Sequence, residues 1–192
     1  MKKKVLVIVA HPDDQVIWMG GTIVNNMDNW NLTIISLCRK DDEDRAPKFK
    51  KVCKILKAKC FMSYLEDEKL GDMPTSEIIK RIKEHSDKNY DCIFTHGKNG
   101  EYGHKRHIDV NKAVTEMLNK KSLSAKKIFF FSYIKKGKFC YPNKKSDKFI
   151  SLSNILFKKK KELIQKIYGF NKNSFEDICC RNAESFNIKE AI

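Results

Sequence analysis

The chain has 192 residues, 41% of them hydrophobic, and 39 Lys and Arg against 24 Asp and Glu, a formal charge of +15. That length and apolar share suit one packed core, and the longest apolar runs, Val5–Ala10 and Ile128–Phe131, are too short to span a bilayer. The excess charge admits an anionic partner, but it is mostly lysine without interleaved arginines and aromatics, which argues against a nucleic-acid binder.

The run Met1–Lys4 followed by Val5–Ala10 is short for a secretion signal, and Asp13 and Asp14 follow at once. The 7 cysteines are scattered and form no Cys-x-x-Cys pair. Reduced thiols in a cytoplasmic protein are therefore expected.

In chain order, Val5–Ala10 reads as a fully buried parallel strand, being short, continuous and β-branched. A loop, His11–Gln15, leaves its end, and a helix is expected from about Val16 to Met27. Leu32–Leu37 is a second strand. Arg45–Lys57 places Phe49, Val52, Cys53 and Leu56 on one helical stripe. Cys60–Tyr64 is a weaker strand, and a helix capped by Thr75 or Ser76 runs to about Ser86. Asp91–Thr95 is a strand, His96–Arg106 a glycine-rich loop, His107–Asn119 a helix and Ile128–Tyr133 a strand. Beyond Ile134 the pattern weakens: an extra strand at Phe149–Leu152, a lysine-rich helix at Ile155–Tyr168 and a closing helix at Ser174–Phe186. Strands alternating with helices give a mainly parallel sheet flanked by helices. One domain over 1–192 is expected, with an α/β core at 1–134 and a C-terminal strand and helices completing it at 135–192.

Ligands bind at the carboxyl ends of strands in such sheets. Of the 5 histidines, four lie in the two loops His11–Asp14 and His96–His107, each at a strand end. A hydrolytic zinc site needs about three N or O ligands and an open position. His11 and Asp14, three residues apart on one loop, and His107 from the other can supply them. Asp13 is placed to accept a proton from water. His104, three residues before His107, can stand near the metal without binding it and serve as acid or oxyanion stabiliser. His96 reads as a residue that orients the ligands.

The stretch Val5–Gln15, with His11–Pro12–Asp13–Asp14, followed by Met19–Gly20–Gly21–Thr22, resembles the opening of the LmbE/PIG-L-type de-N-acetylases. Thr95–His96 and Gly100–Glu101–Tyr102–Gly103–His104–Lys105–Arg106–His107 are similar to that family's second motif, and Arg181–Phe186 to its C-terminal signature. The resemblance implies a Rossmann-like three-layer fold and metal-dependent removal of the acetyl group from an N-acetylglucosamine-type sugar. It implies Zn²⁺, with Fe²⁺ as the alternative, held by His11, Asp14 and His107, Asp13 as base and His104 as acid or oxyanion stabiliser. Arg45 falls where the family tends to place a substrate-binding arginine, and Tyr102 and Glu101 are further candidates for substrate contact.

Two departures matter. Gln15 stands where the family usually has Glu, a place from which a side chain could tune the ligands. Lys105–Arg106 replaces a common Pro–Asp and would favour a phosphate-bearing substrate if it faced the site. Two other readings compete: an inactive metal- or sugar-binding member of the fold, suggested by Gln15, and a non-haem Fe(II) enzyme, since two His and a carboxylate also form a facial triad.

Overall fold

The computed structural model describes residues 1–190; residues 191 and 192, which the expected C-terminal region includes, lie outside the described residues. Its strands are β1 (Lys3–Val9), β2 (Trp30–Cys38), β3 (Lys59–Leu65), β4 (Asn89–Thr95), β5 (Ser124–Phe131), β6 (Tyr133–Lys136), β7 (Phe139–Pro142), β8 (Lys148–Ser151) and β9 (Ala183–Glu190). The helices are α1 (Asp14–Asn26), α2 (Arg45–Ile55), α3 (Thr75–Lys83), α4 (Gly100–Gly103), α5 (Lys105–Asn119), α6 (Asn154–Glu162), which continues as a π-helical turn over Leu163–Ile167, and α7 (Phe175–Cys179). Among the described residues no helix is long and apolar enough to cross a membrane.

A seven-stranded sheet runs in the order β3-β2-β1-β4-β5-β9-β8. The first five strands pair in parallel, and β9 and β8 are antiparallel. β1 is central, with Val5 level with Leu32 of β2 and Cys92 of β4. Its side chains alternate between two cores. Val5, Val7 and Val9 join the layer that contains α1, α2 and the C-terminal helices, while Leu6, Ile8 and Ala10 join the layer of α3 and α5. Burial on both faces is why the strand is a continuous apolar run. Each fully buried Val, Leu or Ile contributes roughly 1.5–3 kcal/mol.

The chain order reverses between β1 and β4, so their carboxyl ends open a crevice at the switch point. The loops carrying His11–Asp14 and His96–His107 leave those two ends.

Several expectations are corrected. The expected loop before His107 contains α4, and α5 begins at Lys105. α3 is entered through Pro74, without a side-chain cap from Thr75 or Ser76; the Pro74 carbonyl accepts from the Glu77 amide instead. The closing helix is only Phe175–Cys179, and Ala183–Phe186 begins a strand inserted between β5 and β8. β6 and β7 form a separate hairpin.

Helix α1 is broken within itself. Met19 leaves helical geometry (φ −148°, ψ 17°), which frees amides at the start of the second segment. The buried Glu184 carboxylate accepts from the Gly21 and Thr22 amides, both at 2.8 Å, and from the Thr22 hydroxyl at 2.6 Å. Lys160, equally buried, stands 2.8 Å from the same carboxylate. The Leu152 methyls pack close over Gly21, where a Cβ would meet them at 2.5 Å and displace that side chain.

Candidate active site

Three side chains converge at the switch point. His11 Nδ1 lies 3.1 Å from Asp14 Oδ2 and 3.0 Å from His107 Nε2, and His107 Nε2 lies 3.4 Å from Asp14 Oδ2. A tetrahedral ion with bonds of about 2.0–2.1 Å needs ligand atoms roughly 3.3 Å apart. The triangle therefore has the size that one cation requires.

The outer bonds of the rings point the same way. His11 Nε2 is 2.9 Å from Asp67 Oδ1, and His107 Nδ1 is 2.6 Å from Glu101 Oε2. A carboxylate only accepts, so each of these nitrogens carries the proton. In the neutral rings, His11 Nδ1 and His107 Nε2 are then left as lone pairs facing each other and a carboxylate oxygen. A divalent cation resolves that arrangement, and a 2-His, 1-carboxylate donor set suits Zn²⁺ or Fe²⁺. The acidic surroundings favour positive charge at this point: burial disfavours a charged His11 ring, yet Asp14 and Asp67 outweigh it and, with no cation present, raise the ring to about 10. Asp14 is also buried, but His107, His11 and His96 hold it well below the carboxylate range. Its other oxygen accepts from Trp18 Nε1 at 2.9 Å, while Oδ2 also accepts from the His11 amide at 2.7 Å, so the carboxylate is held at both oxygens.

Asp13 stands at the cavity wall beside this cluster. Burial and Asp14 push its carboxyl up, His11 and Arg45 pull it back, and the balance is about 6. Arg45 Nη1 donates to Asp13 Oδ2 at 2.8 Å while its guanidinium stacks 4.1 Å from the Phe170 ring. His104 faces the same cavity, its ring 4.7 Å from that of His11 and 4.8 Å from that of His107. Burial and the neighbouring His107 and His11 lower it to about 4, so a neutral imidazole stands there. Tyr102 lines the cavity and packs edge-on to Phe175 at 4.9 Å. The cavity measures about 180 Å³ and is closed further by Trp18, Arg39, Asp67 and Glu176.

Four residues sit differently from expectation. Glu101, a candidate for substrate contact, is wholly buried behind the histidines and does not line the cavity. It is held with φ +58°, and its carboxylate accepts from His96 Nδ1 at 2.8 Å, from His107 Nδ1 and from the Gly97 amide at 2.7 Å. Gln15 hydrogen-bonds none of the convergent side chains; its amide donates to the Pro12 carbonyl at 3.2 Å and to the Tyr168 hydroxyl at 2.8 Å. Arg106 is buried away from the cavity, spent on Glu66 and Asp109, and Lys105 pairs with Asp72. Neither supplies free positive charge to the site.

His96 stacks on His107 at 3.9 Å. Its Nε2 accepts from the Ala10 amide at 2.9 Å, so that lone pair is already used and His96 orients its neighbours.

Sequence reasoning missed Asp67, Arg39, Trp18, Phe175 and Glu176. Asp67 Oδ2 accepts from Arg39 Nε at 3.2 Å and Nη2 at 3.1 Å. The one available signal was position: Arg39 directly follows β2 and Asp67 comes two residues after β3, at the same edge as the histidine loops.

Residues 6–118 match the profile of the family described as PIG-L, GlcNAc-PI de-N-acetylase. The chain belongs to this family. All of the convergent side chains, from His11 to His107, lie within the PIG-L match. No curated protein matches the sequence. Solved structures resemble it over nearly the whole chain. An N,N'-diacetylchitobiose deacetylase from Pyrococcus horikoshii is 20% identical, with a TM-score of 0.72, over 98% of this chain and 84% of that one. The conserved protein TT1542 from Thermus thermophilus is 14% identical, with a TM-score of 0.71, over 99% and 96%. GalB, a 4-carboxy-2-hydroxymuconate hydratase from Pseudomonas putida, is also 14% identical, with a TM-score of 0.63, over 98% and 96%. A deacetylase and a hydratase on one scaffold illustrate that fold alone does not fix chemistry.

Proposed function

We propose that this PIG-L family member hydrolyses the N-acetyl group of an N-acetylglucosamine-type sugar with the help of one divalent cation, Zn²⁺ or Fe²⁺, held by His11, Asp14 and His107. The observation that carries the proposal is the triangle of two ring nitrogens and a carboxylate oxygen, with edges of 3.0–3.4 Å, directly beside Asp13. When bound, the cation would supply Lewis acidity toward the amide carbonyl and make a water acidic near neutral pH.

The remaining steps belong to the chain. Asp13, poised at about 6, takes the proton of the attacking water and returns it to the nitrogen as the C–N bond breaks. Acetate and a free amine leave. Neutral His104 donates its N–H to the carbonyl oxygen as negative charge develops there. Arg45 holds Asp13 in line. A neutral sugar fits better than a phosphorylated one: Arg39 and Arg45 are already paired with Asp67 and Asp13, and Lys105 and Arg106 face elsewhere. The inactive reading drew on Gln15, whose amide hydrogen-bonds Pro12 and Tyr168 instead of the cluster.

The test is acetate release from N-acetylglucosamine, N,N'-diacetylchitobiose and N-acetylglucosaminyl-phosphatidylinositol, each with metal-free and metal-loaded protein. Asp13→Asn is expected to lower turnover roughly 10²–10⁴-fold with the metal retained, and His107→Ala to lose the metal. Wild-type turnover in Asp13→Asn, or no acetate from any of the sugars with loaded protein, refutes the proposal.

A further inference from the structure

We propose that Arg106 is a positioning residue for the metal centre, acting through the loop that carries Asp67; this rests on the reading of His11, Asp14 and His107 as cation ligands. Arg106 lies in the first turn of α5, immediately before His107, and its side chain is completely buried. The guanidinium is divided among three places. Nη2 reaches Glu66 Oε2 at 2.7 Å, and Nε donates to the Glu66 carbonyl. Nη1 donates to the Gly71 carbonyl at 3.1 Å and to Asp109 Oδ2 at 2.8 Å.

Two of these places, Glu66 and Gly71, bracket Asp67. Residues 66–74 contain no helix or strand, so no ladder of backbone bonds fixes the segment. Its shape comes from Arg106 and from Glu66, whose carboxylate also accepts from the Glu68 amide at 2.6 Å and from the Lys69 amide. Asp67 then meets His11 Nε2 and Arg39. A line of contacts runs from α5 through Arg106 and the loop to Asp67, and so to the proton on His11 that leaves Nδ1 as a lone pair. The first turn of α5 thereby places one ligand directly, His107, and steadies another, His11, from the opposite side. Lysine could not substitute, because one ammonium cannot span a side-chain carboxylate and two backbone carbonyls as a planar fork does.

The experiment measures metal binding and needs no substrate. Protein stripped of metal is titrated with Zn²⁺ against a chromophoric chelator, and with Co²⁺ for its d–d spectrum. Arg106→Lys and Asp67→Asn are each expected to weaken Zn²⁺ roughly 10–100-fold, the range for partners that orient ligands, and to shift the Co²⁺ bands. The double variant is expected to bind no more weakly than Asp67→Asn alone, because both changes act on one line of contacts. Wild-type affinity and spectrum in Arg106→Lys, even with lowered thermal stability, overturn the proposal, as do losses that multiply in the double variant. Should Arg106→Lys fail to fold, Glu66→Ala, at the more exposed end of the clamp, is expected to weaken Zn²⁺ in the same direction, and unchanged affinity there overturns it. Absence of any Zn²⁺ or Co²⁺ uptake by the wild-type protein is a different result: it removes the metal centre, and the proposal with it.

Discussion

His11 and His107 each use one ring nitrogen to hold position and leave the other turned toward Asp14. The holding is done by carboxylates, Asp67 for His11 and Glu101 for His107. Glu101 is the more constrained of the two, since burial works against its charge while His96 and His107 keep it below its ordinary range. An amide at that place could not accept from two imidazole N–H groups and the Gly97 amide together. Glu101→Gln is therefore expected to turn the rings to the wrong tautomer and cost roughly 10–100-fold in Zn²⁺ affinity; full metal occupancy after dialysis against a chelator would contradict this. The histidines and aspartates were legible in the sequence because His–Pro–Asp–Asp directly follows an apolar strand and a second pair of histidines ends another loop. Asp67 was not, because one aspartate in the acidic run Glu66–Asp72 looks like any solvated loop. Nor did the sequence distinguish Glu101 facing the cavity from Glu101 facing the histidines, because the loop turns through positive φ at Gly100, Glu101 and Gly103.

Among the elements, α1 shows what local pattern cannot convey. Its apolar residues announced a helix, but the break at Met19 depends on a carboxylate that arrives about 160 residues later, on β9. Long-range pairing also explains why Ala183–Phe186 is a strand although it reads as the end of a helix: β8 offers it a ladder along its whole length, and β5 continues the pairing from Phe186 onward. Glu184→Gln leaves Lys160 charged and buried without its partner, a class of change that costs about 3–5 kcal/mol. The expected result is a urea midpoint lowered accordingly, with partial recovery when Lys160→Met is added. A loss below about 1 kcal/mol would mean that the pair contributes little beyond capping.

For the whole molecule, the parallel core could be read from alternating apolar strands and helical stripes, and the edge strand β8 was anticipated at Phe149–Leu152, while β9 and the β6–β7 hairpin lay in sequence without clear period. The lysine excess has its own consequence. With 39 basic and 24 acidic side chains, complete pairing would still leave 15 cations without an acid, since 39 − 24 = 15. Their mutual repulsion opposes the compact state. Raising ionic strength from about 0.01 M to about 0.15 M shortens the screening length from roughly 30 to 8 Å. The melting temperature is expected to rise with it by a few degrees; a fall would show that attractive pairs dominate the surface.

The family match ends at residue 118, yet the crevice it describes is finished by chain that comes afterward. Tyr168 donates to the Pro12 carbonyl, Phe175 and Glu176 stand in the cavity wall, and Glu184 holds the broken helix on which Asp14 and Trp18 ride. A fragment cut at the motif boundary would keep the convergent side chains and the carboxylates Asp67 and Glu101 that orient them, yet lose part of the cavity wall and the brace on the broken helix. Support is thus split along the chain, and the weakly patterned tail supplies the share that encloses the crevice.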